Sequence, residues 1–344
     1  MLSKQSYALA RHTIKGDARE LGRQLGALGA PAVRDYLVHS TAWATVQKWQ
    51  GSEIAQTMMA LTKKRLPHLW EELLGLAEGL EQPIDSVFLW NARGDLWAMA
   101  PDGCTTIMSP GAQPRITHNE DGDPGFAGSC AIVQFEHTEA NHFASFVYPG
   151  SLPGHTLAVN EQGLAMTVNN IRALAVKPGL PRMLLTREIL NQKTTQQAVD
   201  FLLEQPKAGA FHLNLLDARG DLRGLEYSSH YCAVRTVHEA VLHANHAIFP
   251  ATRDWPQIIT PSSGYRQVRG DAFIQHDDAH PLRILADQSE PTYPIFRRSA
   301  DDVDNENTLA TADMRLQDGG IVWQVYEHPL QAPVYTLHNA KFRD

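Results

Sequence analysis

The stretch HTLAVNEQGLAMTVNN (residues 155–170) consists of two short apolar runs around a polar turn. Residues 155–159 and 164–170 have strand character, and Asn160-Glu161-Gln162-Gly163 between them reads as the turn of a hairpin. Two similar runs precede it, SCAIVQFEH (129–137) and HFASFVY (142–148). Beyond it, residues 211–216, 224–228, 232–237 and 240–244 read as strands, and 308–314, 320–326 and 333–337 close the chain. Strands this short and this closely joined pair antiparallel.

The first hundred residues carry a different period. Between residues 17 and 39, Leu21, Leu25, Leu28, Ala32, Val33 and Tyr36 recur at helical spacing. A second helical stretch, 52–80, carries Ile54, Met58, Leu61, Leu69, Leu73, Leu76 and Leu80. Ser52 is its N-cap and Pro67 marks a break. Residues 87–93 read as a further helix. Helices return at 181–191, with Pro181 at the start, at 195–204 behind Thr194 or Thr195, and at 262–275. The polar run from 277 to 307 reads as a long surface connection. Helices, then hairpins, then a helix pair, then more hairpins is an α+β order, not an alternating βαβ one. No linker or internal repeat interrupts it, so residues 1–344 read as one domain.

Composition narrows the function. Thirty basic against 38 acidic residues give a net charge of −8, which disfavours sequence-independent binding to nucleic acid. No run approaches a membrane span, and the N-terminal residues have no apolar leader core, so the expectation is a reduced, cytoplasmic protein. Cys104, Cys130 and Cys232 are too few and too scattered for a disulfide framework. Neither G-x-G-x-x-G nor a P-loop is present, so nucleotide-dependent chemistry has no support.

Cys104 stands in Pro101-Asp102-Gly103-Cys104-Thr105-Thr106. A cysteine in a soluble protein is usually a small buried hydrophobe. A thiol directly after a glycine has a second option, because glycine leaves its carbonyl open to approach. The sulfur can attack the Gly103 carbonyl and move the acyl group from nitrogen to sulfur. Hydrolysis then frees Cys104 as a new N-terminus, whose α-amine, with a reference pKa of about 7.7–8.0, is a base beside its own thiol. Gly-Cys alone is compatible with either reading.

Further pieces carry a resemblance. Asn91-Ala92-Arg93 lies upstream, and Asn119-Glu120-Asp121 follows the cysteine. Asn160–Gly163 precedes Asn169-Asn170, Gly179-Leu180-Pro181 opens the helix holding Arg187, and His243-Ala244-Asn245-His246 and Pro294-Ile295-Phe296-Arg297 come late. Together, in this order, they resemble the autoproteolytic cysteine Ntn-hydrolases of the acyl-coenzyme A:6-aminopenicillanic-acid acyltransferase (isopenicillin-N acyltransferase) family. The resemblance implies a four-layer αββα sandwich with two stacked antiparallel sheets. It implies cleavage between Gly103 and Cys104 into chains of 103 and 241 residues that stay together as an α/β heterodimer, with higher oligomers left open. Cys104 would be the nucleophile of cleavage and catalysis, and Asn245 would donate to the oxyanion. Asp121 would hold the α-amine or orient an arginine, or else serve only as a turn residue in a Gly/Asp-rich loop, and Asn119 would orient that loop. Arg297 would match a late family arginine, although adjacent Arg298 leaves the register open. Thr105 and Thr106 would support the new terminus. Asn119–Asp123 lacks the aromatic residues often found there in the family, and Phe296 stands where the family often has cysteine, which bears on acyl specificity more than on reaction class.

The implied activity is that of an amidohydrolase or acyltransferase. It forms a Cys104 thioester from a small N-acyl compound and passes the acyl group to water or an amine. No cofactor is expected, with a coenzyme A thioester conceivable as acyl donor. Two other readings stay open at the level of sequence. His243 and His246 could serve a metal-dependent hydrolase, although no H-E-x-x-H or CxxC is present, and His276 and His280 lie in a polar run. The chain could also be a non-enzymatic α+β binding protein. A papain-like Cys-His pair lacks the helix expected directly after its cysteine, since residues 105–110 read as strand then turn.

Overall fold

The computed structural model describes residues 8–100, 103–276 and 280–343. Pro101 and Asp102 of the cysteine motif lie outside the described residues, as do Asp277, Asp278 and Ala279 of the polar run. The strands are β1 (Ala10–Gly16), β2 (Gly103–Ser109), β3 (Arg115–Gly122), β4 (Ala131–His137), β5 (Phe143–Val147), β6 (Leu157–Asn160), β7 (Ala165–Asn170), β8 (Arg172–Ala173), β9 (Phe211–Leu216), β10 (Leu222–Tyr227), β11 (Cys232–Thr236), β12 (Val241–His243), β13 (Gln257–Ile258), β14 (Asn307–Gln317), β15 (Gly320–Tyr326), β16 (Tyr335–His338) and β17 (Lys341–Arg343). The helices are α1 (Ala18–Asp35), α2 (Thr41–Gln47), α3 (Glu53–Arg65), α4 (Pro67–Leu80), α5 (Ile84–Asn91), α6 (Arg93–Leu96), α7 (Arg182–Ile189), α8 (Thr195–Glu204), α9 (Pro261–His276) and α10 (Pro281–Leu285).

Two large sheets stack face to face. The first runs β1-β4-β5-β6-β7-β9-β10-β11 and the second β12-β2-β3-β14-β15-β16-β17, while β8 and β13 form a small ribbon. Thr106 of β2 reaches Asn169 of β7 across the gap between them. Helices α1 and α4 cover the outer face of the first sheet, and α9 and α10 that of the second, completing the expected αββα order. Every residue of β5, β6, β7 and β9 is buried, since each of these strands has protein on both faces.

Local signals position the helices. Ser52 caps α3 and Pro67 starts α4 as the sequence predicts, and Asp17 caps α1 by accepting from the Glu20 amide at 2.9 Å. In the β6–β7 turn, Gly163 takes a φ of +78°, and Asn160 Oδ1 accepts from the amides of Gln162 and Leu164.

Three features differ from the sequence reading. β1 is a strand in a region read as wholly helical, and it pairs parallel with β4, an exception to the antiparallel rule. It is an edge strand with only Ile14 fully buried, so it carries no apolar alternation to read. Residues 119–122 belong to β3 instead of a loop. The polar connection holds α10, and its Leu285, Ile295, Phe296 and Arg297 are buried. Among the described residues, no helix is long and apolar enough to cross a membrane.

The segments before and after Cys104 interlock. β1 lies in the first sheet, and Glu72 of α4 meets Arg187 of α7 through a two-pronged ion pair, Nε to Oε1 at 3.0 Å and Nη2 to Oε2 at 2.9 Å. Both side chains are 1% exposed. Arg187→Ala strands the Glu72 carboxylate without its counter-charge and is expected to cost about 3–5 kcal/mol. Urea unfolding followed by tryptophan fluorescence measures the loss.

Candidate active site

Cys104 sits in β2, paired in register with β3: Gly103 opposite Asp121, Cys104 opposite Glu120, Thr105 opposite Asn119, Thr106 opposite His118. Side chains alternate across a strand, so these pairs divide between the two faces of the sheet. Cys104, Glu120, Thr106 and His118 face the gap between the sheets. Gly103, Asp121, Thr105 and Asn119 face α9 and α10.

On the inner face, Cys104 Sγ lies 3.9 Å from Glu120 Oε2, which is 3.2 Å from His118 Nε2. Tyr148 donates its hydroxyl to Glu120 Oε1 at 2.9 Å. The tautomer of His118 follows from its neighbours. Asn169 Oδ1 also accepts from Asn214, and the Asn169 amide donates to the His243 carbonyl, so the Thr106 hydroxyl gives its one proton to Asn169 Oδ1 at 2.8 Å. His118 Nδ1 must then donate to Thr106 Oγ1 at 2.7 Å, which leaves the Nε2 lone pair aimed at Glu120. Burial holds the His118 pKa down at about 3, so the imidazole is neutral.

On the other face, Arg266 of α9 gathers the backbone of the cysteine. One guanidinium nitrogen donates to the Cys104 carbonyl at 2.5 Å and to Thr105 Oγ1 at 2.8 Å, and the other donates to Asn245 Oδ1 at 2.7 Å. The same Asn245 oxygen accepts the Cys104 N–H at 3.0 Å. Asn245 is fully buried, and its Nδ2 has no hydrogen-bond partner. A buried amide donor left without a partner costs about 1–3 kcal/mol unless something fills it.

Asp121 accepts from the Thr308 hydroxyl at 2.6 Å, and burial raises its pKa against the pull of Arg266 and Arg297. A register shift between Thr308 and Ala310 in β14 lies at this point of the pairing with β3. Asn119 donates to the carbonyls of Leu285 and Ile295 and accepts from Thr311, tying the polar connection to β3. Arg297 is fully buried and donates to Asp302, Asp304, Glu306 and Ser262. Its link to the cysteine runs through Glu306, whose carboxylate occupies the space that a Cβ on Gly103 would need. His243 and His246 take separate partners, Glu226 and Ser263, and do not converge.

Four contributors, Glu120, His118, Arg266 and Glu306, went unrecognised in the sequence. Glu120 lies inside the quoted Asn119-Glu120-Asp121, but only its register opposite Cys104 gives it a role. Arg266 stands 162 residues from Cys104 and had no signal beyond its place in a predicted helix.

Burial raises the Glu306 pKa from 4.5 to about 7, against the pull of Arg297 and Arg172. The folded chain therefore holds a proton that the unfolded chain releases, and this group's stabilising contribution is lost as pH rises from about 4.5 through 7. Glu306→Gln, which mimics the protonated form, is expected to gain stability relative to wild type between pH 5 and pH 8. Urea midpoints of both proteins across that range check the slope.

A cavity of about 560 Å³ is lined by Asp35, Tyr36, His39, Trp97, Asp123 and Asp304 among others. A narrower recess shares Ser40, Ala42 and Asp123 with it and reaches Tyr148, the residue bonded to Glu120.

Comparison with known proteins gives the family. The β-alanyl-dopamine/carcinine hydrolase of Drosophila melanogaster is 25% identical over 210 residues, covering 54% of each chain, so the protein spans about half the length of that relative. The acyl-coenzyme A:6-aminopenicillanic-acid acyltransferase 40 kDa form of Emericella nidulans is 21% identical over 249 residues, covering 69% of each. Among solved structures, a mutant of conjugated bile acid hydrolase from Clostridium perfringens overlays with a TM-score of 0.42 at 12% identity, covering 65% of this chain and 89% of that one. Penicillin V acylase from Agrobacterium tumefaciens gives 0.37 at 16%, covering 64% and 82%. The family model for acyl-coenzyme A:6-aminopenicillanic acid acyl-transferase matches residues 108–328, a span that begins just after Cys104 and includes Asn119, Asp121, Asn245 and Arg297. With well over half of its length matched, the chain belongs to the acyl-coenzyme A:6-aminopenicillanic acid acyl-transferase family.

Proposed function

We propose that the protein is a self-processing cysteine amidohydrolase or acyltransferase with Cys104 as nucleophile. The observation that carries the reading is Asn245, whose Oδ1 holds the Cys104 nitrogen while its Nδ2 stays unsatisfied. In the uncut chain that nitrogen is an amide and cannot act as a base. The thiol proton passes instead to Glu120 and His118, where it lands between a carboxylate oxygen and an imidazole lone pair 3.2 Å apart. Sγ then attacks the Gly103 carbonyl carbon, the C–N bond breaks, and the nitrogen takes up a proton to become the Cys104 α-amine. Water hydrolyses the thioester, and the two chains remain joined as a heterodimer through β1 and the Glu72–Arg187 pair.

In the processed enzyme the α-amine is the base for the thiol. Asn245 Oδ1 fixes it in place, and the Arg266 cation sharing that oxygen disfavours the ammonium form. The sulfur attacks the substrate acyl carbon while Asn245 Nδ2 donates to the oxygen that gains charge. The amine of the substrate leaves with the proton, and water or a second amine takes the acyl group. No cofactor enters these steps, and an acyl thioester of coenzyme A would enter as substrate.

The larger cavity favours one kind of substrate. Its described lining includes Asp35, Asp123 and Asp304 with Trp97 and Tyr36 and no lysine or arginine, with Arg34 pairing Asp35 and Arg297 pairing Asp304 from outside it. That suits an N-acyl compound with a cationic or neutral amine half better than one carrying a carboxylate, such as a penicillin. The fly relative acts, by its name, on β-alanyl-dopamine and carcinine, which agrees with this preference. Intact-mass analysis after mixing with N-acyl amines of positive, neutral and negative charge tests the reading. The expected result is an acyl adduct on a fragment whose N-terminal sequence is Cys-Thr-Thr, formed fastest from the cationic donors. An intact chain with no adduct from any donor overturns it.

A further inference from the structure

The inner face of β2 and β3 brings a thiol, a carboxylate and an imidazole to one point. One ligand atom from each of Cys104, His118 and Glu120 lies within 4.8 Å of the other two, and all three residues are buried. The His118 tautomer makes this more than proximity. With Nδ1–H committed to Thr106, two acceptors, Nε2 and Glu120 Oε2, face each other at 3.2 Å, an arrangement that a positive charge between them stabilises. A proton is one such charge and a metal ion is the other.

We propose that this cluster is an inhibitory binding site for zinc, with Cys104 Sγ, His118 Nε2 and Glu120 Oε2 as its ligands. Two of the three ligand separations suit a tetrahedral ion. Zinc at ordinary bond lengths sets nitrogen and oxygen ligands ~3.3 Å apart and sulfur and oxygen ligands ~3.5 Å apart. The corresponding separations are 3.2 Å and 3.9 Å. The charge fits as well: a thiolate and a carboxylate balance a divalent cation, so the occupied site is neutral inside the protein, where an unbalanced charge is costly. The supports found around metal ligands are in place. Thr106 accepts from the far ring nitrogen of His118, and Tyr148 holds the second oxygen of Glu120. Water supplies the fourth position.

In the second such cluster, His212, Glu226 and His243, the carboxylate is already committed to other donors. Glu226 accepts from His243, from the amides of Ile248 and Phe249 and from the Thr252 hydroxyl, and the two rings stack at 3.6 Å.

The ion displaces the thiol proton, so binding strengthens as pH rises. Bound zinc ties up the sulfur lone pair that attacks both Gly103 and substrate, so one event silences processing and turnover. A chelator is then an activator of this enzyme. The inference concerns regulation of the site under the proposed function, but its evidence is read without substrate. Failure of zinc to bind leaves the acyl-adduct assay untouched, and failure of acylation leaves metal binding measurable.

Cobalt(II) titration of metal-free protein is the test, with zinc competing it off. The expected result is one equivalent bound, with thiolate-to-cobalt charge-transfer absorption that Cys104→Ala abolishes and His118→Gln weakens at least tenfold, while His212→Gln retains it. In wild type alone, one equivalent of zinc should slow alkylation of Cys104 by iodoacetamide at least tenfold, reversibly with chelator, and leave Cys130 and Cys232 unchanged. The proposal is overturned by stoichiometric binding without the thiolate band, by equal affinity in Cys104→Ala, or by Cys104 alkylation that zinc does not slow.

Discussion

Cys104→Ala is expected to run as one full-length chain of about 38.2 kDa, whereas wild type is expected to divide into chains of 103 and 241 residues. No other described thiol stands beside the Gly103 carbonyl, so removing this one leaves the N-to-S shift without a nucleophile. The substitution exchanges a buried thiol for a buried methyl, and folding should survive it. Gly103→Ala should impair the same step while keeping the thiol. An added Cβ would overlap the Glu306 carboxylate, and that carboxylate is anchored by Arg297 and Arg172, so the scissile peptide itself must shift. Denaturing gels over time, with N-terminal sequencing of the smaller and larger bands, distinguish a block from a delay. A Cys104→Ala protein that still divides after Gly103 would show that the sulfur is not the nucleophile of cleavage.

Asn245→Ala is expected to lower kcat by roughly 10²–10³-fold with KM changed much less, the usual cost of losing one placed oxyanion donor. The side chain has two jobs that separate experimentally. Its Oδ1 holds the Cys104 nitrogen and meets Arg266, while its unpartnered Nδ2 is free to meet developing charge. Asn245→Asp keeps an acceptor and loses the donor, so it should retain the position of the nitrogen yet show the same fall in kcat. Equal kcat in wild type and Asn245→Asp would remove Asn245 from the transition state and leave it a positioning residue for the terminus.

How much of the site could be read along the chain differs from residue to residue. Cys104 and Asn245 stand in short motifs whose wording is local, Asp-Gly-Cys-Thr-Thr and His-x-Asn-His, and each was legible without knowing the fold. Asp121 and Asn119 were legible as residues of interest but not in their surroundings. Read as a loop, Asn119-Glu120-Asp121 gives its neighbours equal access to the cysteine. As strand β3 it cannot, because alternation sends Glu120 to the thiol and turns Asn119 and Asp121 toward α9 and α10. Arg297 was visible as a late arginine, but its three carboxylate partners show that it braces Glu306 against Gly103.

Two kinds of information are thus separated in this protein. The sequence by itself determined most of the helices and hairpins, the helix cap at Ser52, the turn at Gly163 and the presence of a glycine before a cysteine, because each depends on residues within a few positions of one another. Only the tertiary structure decided which side chains meet the sulfur. Glu120 and His118 come from the neighbouring strand, and Arg266, which holds the cysteine's carbonyl, from a helix far along the chain. Strand register and the stacking of two sheets are set by the sum of many weak burial and hydrogen-bonding terms over distant segments, and no local pattern carries that sum.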